Sequence, residues 1–393
     1  MKVRIHRWLV PATLALAASS ASASFIVAPH TAGRDGDLSG NTVASPDDAG
    51  SAQYINPAGV VGETAEQTML AVAPMNFTAH YDNGNGYDHT SSETPVLLNF
   101  WHGLGEWNGW RMGFSTYGSV GTAFDFAADP GNGVPSRFVG KLTVINLGFN
   151  IGRQLTENLR VGMQITPRYG QQTFKAPTPG GEAEFDIDGF GIVGSLGLVY
   201  DLSDRWALGL AYRTPGLVDM DGDGSVGGND QGVEHELHTP QSVTAGASFQ
   251  WTPKTTLLAQ VKWTDYGQFE DGDIKWDETT ALDQPFISDT RNRIRWGMGL
   301  EHEVIEDSFL RVGFSYESWM IEPEAVRPYL FDNRDFMLMA GYEVRYETLS
   351  VGFIGGYATT TDREVSASRN PAAPGTYSTE NDVMAGFRIT WHH

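Results

Sequence analysis

The feature of this 393-residue sequence that most constrains its fold is a two-residue alternation that persists over long segments. From about residue 66, apolar and aromatic side chains alternate with small or charged ones, most clearly in residues 206–213, 257–264, 293–301, 310–317 and 383–391. Such alternation indicates β-strands whose two faces meet different surroundings. The segments run to about 11–18 residues, longer than the five or six typical of soluble strands and enough for the roughly 9–11 that a membrane strand requires.

The connections between these segments alternate between short and long. Short ones fall near residues 106–108, 155–158, 202–205, 252–254, 305–307 and 346–348, and long ones near 82–94, 123–135, 176–186, 219–238, 270–289, 322–333 and 361–379. This alternation is typical of outer-membrane barrels, and thirteen connections separate fourteen strands. The predicted fold is therefore all-β, a 14-stranded antiparallel transmembrane β-barrel over residues 66–393. An even strand number places both chain ends on one side, which we expect to be the periplasm.

Composition agrees with a barrel and excludes several other classes. The chain has 46 Gly and 11 Trp, and no apolar run reaches the roughly 18–20 residues of a membrane-spanning helix. The absence of cysteine excludes a disulfide scaffold, a thiolate metal site and a cysteine nucleophile. A net charge of −22 argues against nucleic acid as a partner, because the chain and a phosphate backbone repel each other.

The amino terminus has the pattern of a secretory signal peptide. Lys2, Arg4 and Arg7 precede an apolar stretch over residues 8–18, and small residues at 21–23 form a cleavage site. We therefore assign residues 1–23 to a signal peptide. Export of a cysteine-free barrel predicts the outer membrane of a Gram-negative bacterium. Residues 24–65, which lack a strand period, form a separate N-terminal segment long enough to block the lumen.

Several motifs then resemble one family of outer-membrane transporters. Residues 44–59 read ASPDDAGSAQYINPAG, residues 110–121 read WRMGFSTYGSVG, residues 239–246 and 251–254 read TPQSVTAG and WTPK, and residues 261–266 read VKWTDY. In this order they resemble the FadL/TodX family, which carries long-chain fatty acids and aromatic hydrocarbons. The first motif resembles the family's hatch signature and supplies Asp47, Asp48, Asn56, Pro57, Ala58 and Gly59.

The resemblance implies a barrel plugged by a small N-terminal hatch inside the lumen. It also implies that substrate leaves sideways through the wall at a bend in the third strand, which here would lie at Tyr117, Gly118 and Gly121. Two departures from the family pattern stand out. The proline usual at that bend is absent, and Trp391 is followed by His392 and His393 where the family ends on an aromatic residue.

An acidic segment is the clearest candidate for a metal site. Residues 219–230 read DMDGDGSVGGND and match a calcium loop with Asp, not Glu, at the last position. The expected ligands are Asp219, Asp221, Asp223, Ser225 and Asp230, with a glycine at the sharp turn. The alternative is an acidic, glycine-rich turn without a metal. No cofactor is otherwise required.

Inward-facing arginines allow two interpretations. Arg213, Arg293, Arg295 and Arg311 could receive the carboxylate head group of a substrate. Alternatively, together with Arg160, Arg168, Arg388, Glu301, Glu317 and Asp265, they form a structural ion network that holds the hatch through Asp47 and Asp48.

Catalysis finds little support in the sequence. Ser115, His102 and Asn99 lie on neighbouring predicted strands but no nucleophile motif accompanies them, and His235 and His238 would face opposite sides of a strand. We therefore expect no enzyme but a passive transporter of small hydrophobic molecules, such as long-chain fatty acids or hydrocarbons. It would be a monomer in contact with outer-membrane lipid and lipopolysaccharide. The alternatives are a hydrophilic diffusion porin and a surface protein for adhesion or phage attachment.

Overall fold

The computed structural model describes residues 33–393 except 95, 129–135, 268–269, 271, 328–334, 372 and 380–381. The assigned signal peptide, residues 1–23, and the start of the hatch, residues 24–32, lie outside the described residues. Among the described residues, no helix combines the length and the apolar composition needed to cross a membrane.

Residues 33–66 form a compact unit of short helices. It contains the helices α1 (Gly33–Asp37) and α2 (Ala49–Tyr54) and the 3-10 helices Pro57–Val61 and Glu63–Glu66. Asp48 caps α2, because its carboxylate accepts from the amides of Gly50 and Ser51, and Asn56 caps the next turn by accepting from the amide of Ala58. We call residues 33–66 the hatch.

The rest of the chain is almost entirely strand, with one 3-10 turn at Thr280–Leu282. The strands are β1 (Gln67–Asp82), β2 (Asp88–Glu93), β3 (Val96–Trp107), β4 (Trp110–Ala128), β5 (Ser136–Thr156), β6 (Leu159–Thr178), β7 (Gly181–Ser203), β8 (Trp206–Arg213), β9 (Gly216–Val226), β10 (Asn229–Thr239), β11 (Gln241–Thr252), β12 (Thr255–Asp265), β13 (Asp273–Trp276), β14 (Gln284–Pro285), β15 (Arg293–Ile305), β16 (Ser308–Glu317), β17 (Asp335–Arg345), β18 (Leu349–Thr360), β19 (Arg363–Val365), β20 (Gly375–Ser378) and β21 (Asp382–His392).

Fourteen of these strands close into an antiparallel barrel, which confirms the predicted fold class and strand number. The order around the wall is β1, β3, β4, β5, β6, β7, β8, β11, β12, β15, β16, β17, β18 and β21. The first and last strands close it, with Gln67 opposite His392 and Thr68 opposite Trp391. Closure pairs strand edges that would otherwise expose backbone polar groups to lipid.

The six short connections lie where the sequence predicts them, and we call that end of the barrel the short-turn end. Two of the long connections are different from the prediction. Residues 176–186 are a tight turn between extended strands, because β6 and β7 pair as far as Thr178 and Gly181. Residues 219–238 are the hairpin of β9 and β10, which extends the wall beyond β7. The long-connection end is therefore itself built largely of sheet.

The two-residue alternation separates outward-facing from lumen-facing side chains, as predicted. On β15, Ile294, Trp296 and Met298 face outward and are 41%, 41% and 60% exposed, whereas Arg293 and Arg295 face the lumen and are 6% and 4% exposed. Trp107, Trp206 and Trp251 lie beside short turns and remain exposed, as expected of an aromatic girdle at a membrane interface.

The hatch sits inside the barrel against a set of inward-facing glycines. A Cβ at any of them would overlap hatch atoms: Gly103 meets Ala65, Gly162 meets Pro57, Gly197 meets Asn56, Gly209 meets Val43, Gly313 meets Leu38 and Gly341 meets Asp37. The glycine excess of the sequence thus has a packing function. Residues without a side chain allow the hatch backbone to lie directly on the wall.

We expect Gly313→Ala to loosen the hatch, because the added methyl would overlap the backbone of Leu38. Overpacking of this kind typically costs about 1–3 kcal/mol. The variant should unfold at a lower temperature and show larger ion conductance in planar bilayers. Gly355→Ala is the matched control, since a Cβ there would meet only Met384 O at 4.0 Å. Equal conductance and equal unfolding temperature in the two variants would contradict this role of Gly313.

Candidate functional site

Hatch and wall share a buried ionic contact in which two arginines donate to one carboxylate. Asp37, at the end of α1, accepts from Arg388 of β21 at 2.9 and 2.6 Å and from Arg311 of β16 at 3.1 Å. Asp37 and Arg311 are fully buried, and the side chain of Arg388 is 4% exposed. A charge buried to this degree is tolerated only when it is paired and hydrogen-bonded, as Asp37 is.

Two further wall carboxylates balance the arginines. Glu343 of β17 accepts from Arg388 at 2.8 Å and from Arg311 at 3.3 Å. Glu301 of β15 pairs with Arg311 and, on the hatch side, accepts from Arg34 at 2.8 and 3.1 Å. We call Arg34, Asp37, Glu301, Arg311, Glu343 and Arg388 the ionic lock. It joins α1 to four strands of the wall.

The sequence predicted an ion network that holds the hatch through Asp47 and Asp48, and the ionic lock adds Asp37 to these hatch acids. Asp47 does pair with Arg160 at 2.8 Å, but its side chain is 48% exposed. Asp48 serves the hatch itself, since it caps α2 and accepts from the amide of Arg34 at 2.9 Å. No sequence pattern around Asp37 marks it as an ion-pair partner. Only the fold, which brings Asp37 next to Arg311 and Arg388, reveals the contact.

A second hatch carboxyl has an unusual environment. Asp35 is fully buried, and Oδ1 accepts from Thr42 Oγ1 at 3.1 Å. Burial, reinforced by the nearby carboxylate of Asp48, raises the pKa of Asp35 to about 8. The carboxyl is therefore mostly neutral at pH 7. Its contribution to hatch stability falls as the pH rises from about 4 through 8, because the folded state holds the proton more tightly than the unfolded chain.

The Asn56-Pro57-Ala58-Gly59 motif shapes the face of the hatch that meets β6 and β7. Asn56 Nδ2 donates to Val43 O at 2.8 Å and to Leu198 O at 3.0 Å, which ties two hatch segments to the wall. Pro57 occupies the first position of its 3-10 helix, and Gly59 lies against Pro46, where a Cβ would not fit. The motif residues thus position the plug.

The four candidate head-group arginines are not equivalent. Arg311 belongs to the ionic lock. Arg295 donates to Ser39 O and to Ser315 Oγ, and Arg293 pairs with Glu317 at 2.9 Å. Arg213 donates to Tyr54 O at 3.0 Å and lies 4.4 Å over the Tyr54 ring. Three of the four therefore bind the hatch, and a small cavity beside Tyr54 is lined by Arg213, Arg295 and Lys262.

The strand pairing in the wall beside the hatch is interrupted at Tyr117. Among the described residues, the ladder between β3 and β4 ends at Asn99 opposite Tyr117, although β3 begins at Val96 and β4 continues to Ala128. The opposite edge of β4 stays paired with β5, with a bulge between Gly118 and Val120. The predicted weak point therefore coincides with the end of a ladder. Tyr117 packs on the hatch there, with its ring 5.8 Å from that of Tyr54 and nearly perpendicular to it.

The long-connection end of the lumen is apolar. A cluster of buried side chains fills it, including Leu142, Val144, Phe185, Ile187, Val218, Met220, Leu237, Ile274, Trp276, Met320, Ile321 and Val326. Aromatic rings at its edge, such as Phe174 and Phe286, are partly buried. We call this cluster the apolar chamber. It lies between the long connections and the hatch, on strands that continue down to the hatch.

The acidic segment does not have the geometry of a calcium loop. Asp219, Asp221 and Asp223 lie along β9 on its exposed face, where alternate residues are about 6.6 Å apart, and Asp230 and Ser225 are opposite each other across the hairpin. In the described part of the chain, no group of three or more acidic or histidine side chains is arranged to hold a metal ion. The segment is thus a β-hairpin and not the 12-residue loop that the calcium motif implies, because Gly227 and Gly228 form a tight turn.

The residues considered for catalysis or ligation have other partners. Ser115 Oγ donates to Gly148 O at 3.4 Å, and His102 shares a hydrogen bond of 2.8 Å with Thr68. His235 is buried against Gln172, whereas His238 lies 3.8 Å from Glu236. The terminal histidines close the seam of the barrel at the short-turn end. His393 bonds Thr68 at 2.7 Å, and His392 bonds Ser350 at 2.7 Å.

Comparison with known proteins gives the family. The model of the family described as outer membrane protein transport protein (OMPP1/FadL/TodX) matches residues 13–328. The chain belongs to this family. A search of the curated proteins finds no match. Membership of the OMPP1/FadL/TodX family makes the chain an outer-membrane transport protein, and it confirms that the chain is not an enzyme.

Solved structures agree on the fold. The crystal structure of a Pseudomonas aeruginosa FadL homologue is 14% identical, with a TM-score of 0.74 over 91% of this chain and 97% of that one. The P. putida toluene transporter TodX is 17% identical, with a TM-score of 0.69 over 87% and 94%. The Ralstonia pickettii toluene transporter TbuX is 16% identical, with a TM-score of 0.66 over 91% and 97%. The barrel of this family member is thus of the FadL/TodX type.

We expect Asp37→Asn to unseat the hatch. An amide cannot neutralise Arg311 and Arg388, and removing one partner of a buried ion pair costs about 3–5 kcal/mol. The variant should show increased ion conductance in planar bilayers and faster proteolysis within residues 33–66. Asp47→Asn is the control, because exposed pairs contribute only about 0–1 kcal/mol. If Asp37→Asn conducts no more than Asp47→Asn, the ionic lock does not hold the hatch.

Proposed function

We propose that this protein is a passive channel that takes up small hydrophobic molecules, such as long-chain fatty acids or hydrocarbons, and releases them sideways through its wall. The long-connection end faces outward and both termini are periplasmic. The protein acts as a monomer surrounded by outer-membrane lipid and lipopolysaccharide. The names of TodX and TbuX, toluene transporters of the same barrel type, support a hydrophobic substrate.

One observation carries the proposal. The hatch fills the lumen along the barrel axis, whereas the hydrogen-bond ladder between β3 and β4 ends in the wall next to the hatch. The hatch is fixed by buried charges and lies on wall glycines, whereas the β3–β4 ladder ends at Tyr117 at the edge of the hatch. A hydrophobic molecule among the side chains of the apolar chamber would therefore reach the lipid past the ladder end without displacing the hatch. A hydrophilic diffusion porin would need an open lumen, which the buried hatch does not leave.

A carboxylate head group is a secondary feature of the proposal. Of the four arginines considered, Arg213 is the best placed, because it borders the small cavity beside Tyr54 with Lys262 and is less buried than Arg295, which also borders that cavity. Arg311 is fully buried in the ionic lock and has no surface to offer a substrate. A fatty acid would thus meet Arg213 and Lys262, whereas a hydrocarbon would need neither.

Cross-linking the ladder end should stop uptake. Leu98 and Gly118 would be the next opposed pair if the β3–β4 ladder continued beyond Asn99 and Tyr117. The chain has no cysteine, so the two thiols introduced by Leu98→Cys/Gly118→Cys are the only ones that a reagent can join. We expect a short bis-methanethiosulfonate reagent, which joins the two thiols through reducible disulfides and releases methanesulfinate, to abolish uptake of a radiolabelled hydrophobic compound by whole cells that lack other such channels. A reductant should restore uptake.

The matched control joins two outward-facing residues of an intact ladder. Ala259 and Met298 are directly opposed on β12 and β15, so Ala259→Cys/Met298→Cys can be cross-linked away from the proposed exit. Uptake should be unaffected there. Unchanged uptake after cross-linking at Leu98 and Gly118 would exclude lateral release at this point, and absence of uptake by the wild type would exclude the transport function itself.

A further inference from the structure

The sheet of β6, β7, β9 and β10 continues past the apolar part of the wall and presents an exposed outward face. In this sheet β9 pairs with β7 on one side and with β10 on the other. Tyr169 and Phe190 lie at its base, with ring centroids 5.3 Å apart, and Phe190 is 73% exposed. Exposed aromatic rings of this kind mark the edge of the hydrocarbon layer, so the outward-facing residues beyond them face water.

Beyond these rings, carboxylates replace apolar side chains on the outward face. The first level places Asp188 of β7, Asp221 of β9 and Glu234 of β10 directly opposite one another. The next level places Asp186 opposite Asp223. All five side chains are exposed. Like charges that are directly opposite across strands destabilise a sheet, so a cation between them would stabilise this one.

A groove lies on the same face. Its volume is about 680 Å³, which is within the usual range of ligand sites. The outward-facing side chains that border it include Thr173, Lys175, Glu184, Asp186, Asp223 and Asp230. Four of these side chains are acidic and one is basic, so the groove attracts a cationic ligand.

Lys175 shows how an ammonium group is held on this face. Its Nζ lies 2.6 Å from Glu182 and 3.3 Å from Glu184, so one ammonium group lies between two carboxylates of β7. Further along the groove, Asp186 and Asp223 offer a second pair of carboxylates across two strands. Within the described ranges, no lysine or arginine forms an ion pair with either of them. The groove therefore has room for an ammonium group from outside the chain.

The spacing of the carboxylates favours a chain of ammonium groups over a single ion. Carboxylates on this sheet are about 4.8 Å apart across strands and about 6.6 Å apart along a strand. They do not converge, and the described residues include no group of three or more that could hold a metal ion. A linear oligoamine has successive ammonium groups about 5–6 Å apart, by ordinary bond lengths. Each of its ammonium groups can lie between two carboxylates, as that of Lys175 does.

We propose that the groove on the outward face of β6, β7, β9 and β10 binds a linear oligoamine, with ammonium groups between Asp186 and Asp223 and beside Asp230. Lys141, opposite Thr173 on β5, and Lys275, opposite Glu234 on β13, place positive charge at the two edges of the face. The site is separate from the transport route, because its carboxylates face away from the lumen. The inference thus goes beyond the proposed function and does not depend on it.

Calorimetric titration of the purified full chain in detergent with spermine tests this site. The measurement is made at about 0.01 M salt, where the Debye length is roughly 30 Å. We expect Asp186→Asn/Asp223→Asn to bind spermine about fivefold more weakly than the wild type, because two exposed ion pairs are lost. The variant should fold, since it removes a repulsion between strands. Butylamine, which has one ammonium group, should give no measurable heat at the same concentration of nitrogen.

Glu157→Gln/Asp204→Asn is the matched control, because it removes two exposed negative charges at the short-turn end. It should bind spermine as the wild type does. Equal weakening in the two double variants would show that spermine responds only to net charge, and would overturn the inference. So would the absence of spermine binding by the wild type. Displacement of spermine by Mg²⁺ at the same concentration of positive charge would assign the face to divalent cations and would overturn it as well. Because none of these results depends on uptake, they leave the proposed function to its own test.

Discussion

The buried charge of Asp37 and its two arginines is the interaction on which the rest of the structure depends. An eight-stranded barrel can fill its own interior with side chains, but fourteen strands enclose a space that needs a separate plug. The plug here is small, and only part of its contact with the wall is apolar, at Ala49, Ala52, Val60 and Val61 against Met69 and Trp101. Wall glycines allow the hatch backbone to touch the wall, and the ion pairs of Asp37 with Arg311 and Arg388 fix the position of the hatch.

Under the proposed function, this fixation restricts the routes that substrate can take. Burial of an ion pair is favourable only while every partner stays in place, so partial withdrawal of the hatch would leave Arg311 and Arg388 uncompensated. In the proposed mechanism the wall offers the alternative route, because the β3–β4 ladder ends beside the hatch. A rigid plug and a locally incomplete wall thus fit one mechanism of sideways release.

The barrel was predictable from the sequence because its signals are local. Alternation such as Ile294, Trp296 and Met298 against Arg293 and Arg295 depends only on neighbouring residues, and the regular connections gave the strand number. The acidic segment was misread for the same reason. Its motif was considered without the alternation of Val218 and Met220 around it or the Gly227-Gly228 turn, which together indicate a hairpin.

The ionic lock was not predictable from the sequence, because it depends on contacts between distant parts of the chain. Asp37 and Arg388 are 351 positions apart, and no pattern near either residue marks the pair. The Asn56-Pro57-Ala58 motif was recognisable as part of a hatch, but its hydrogen bond to Leu198 was not.

The central claim is that the hatch stays seated while substrate leaves through the wall, and a covalent lock tests it most directly. In Asn41→Cys/Gly297→Cys the two side chains would meet, because a Cβ at Gly297 already overlaps Asn41 Oδ1. The measurement is uptake of a radiolabelled hydrophobic compound by whole cells, with the pair oxidised and then reduced. The account predicts the same uptake in both states. Loss of uptake on oxidation that a reductant restores would show that the hatch must move, and would contradict the account.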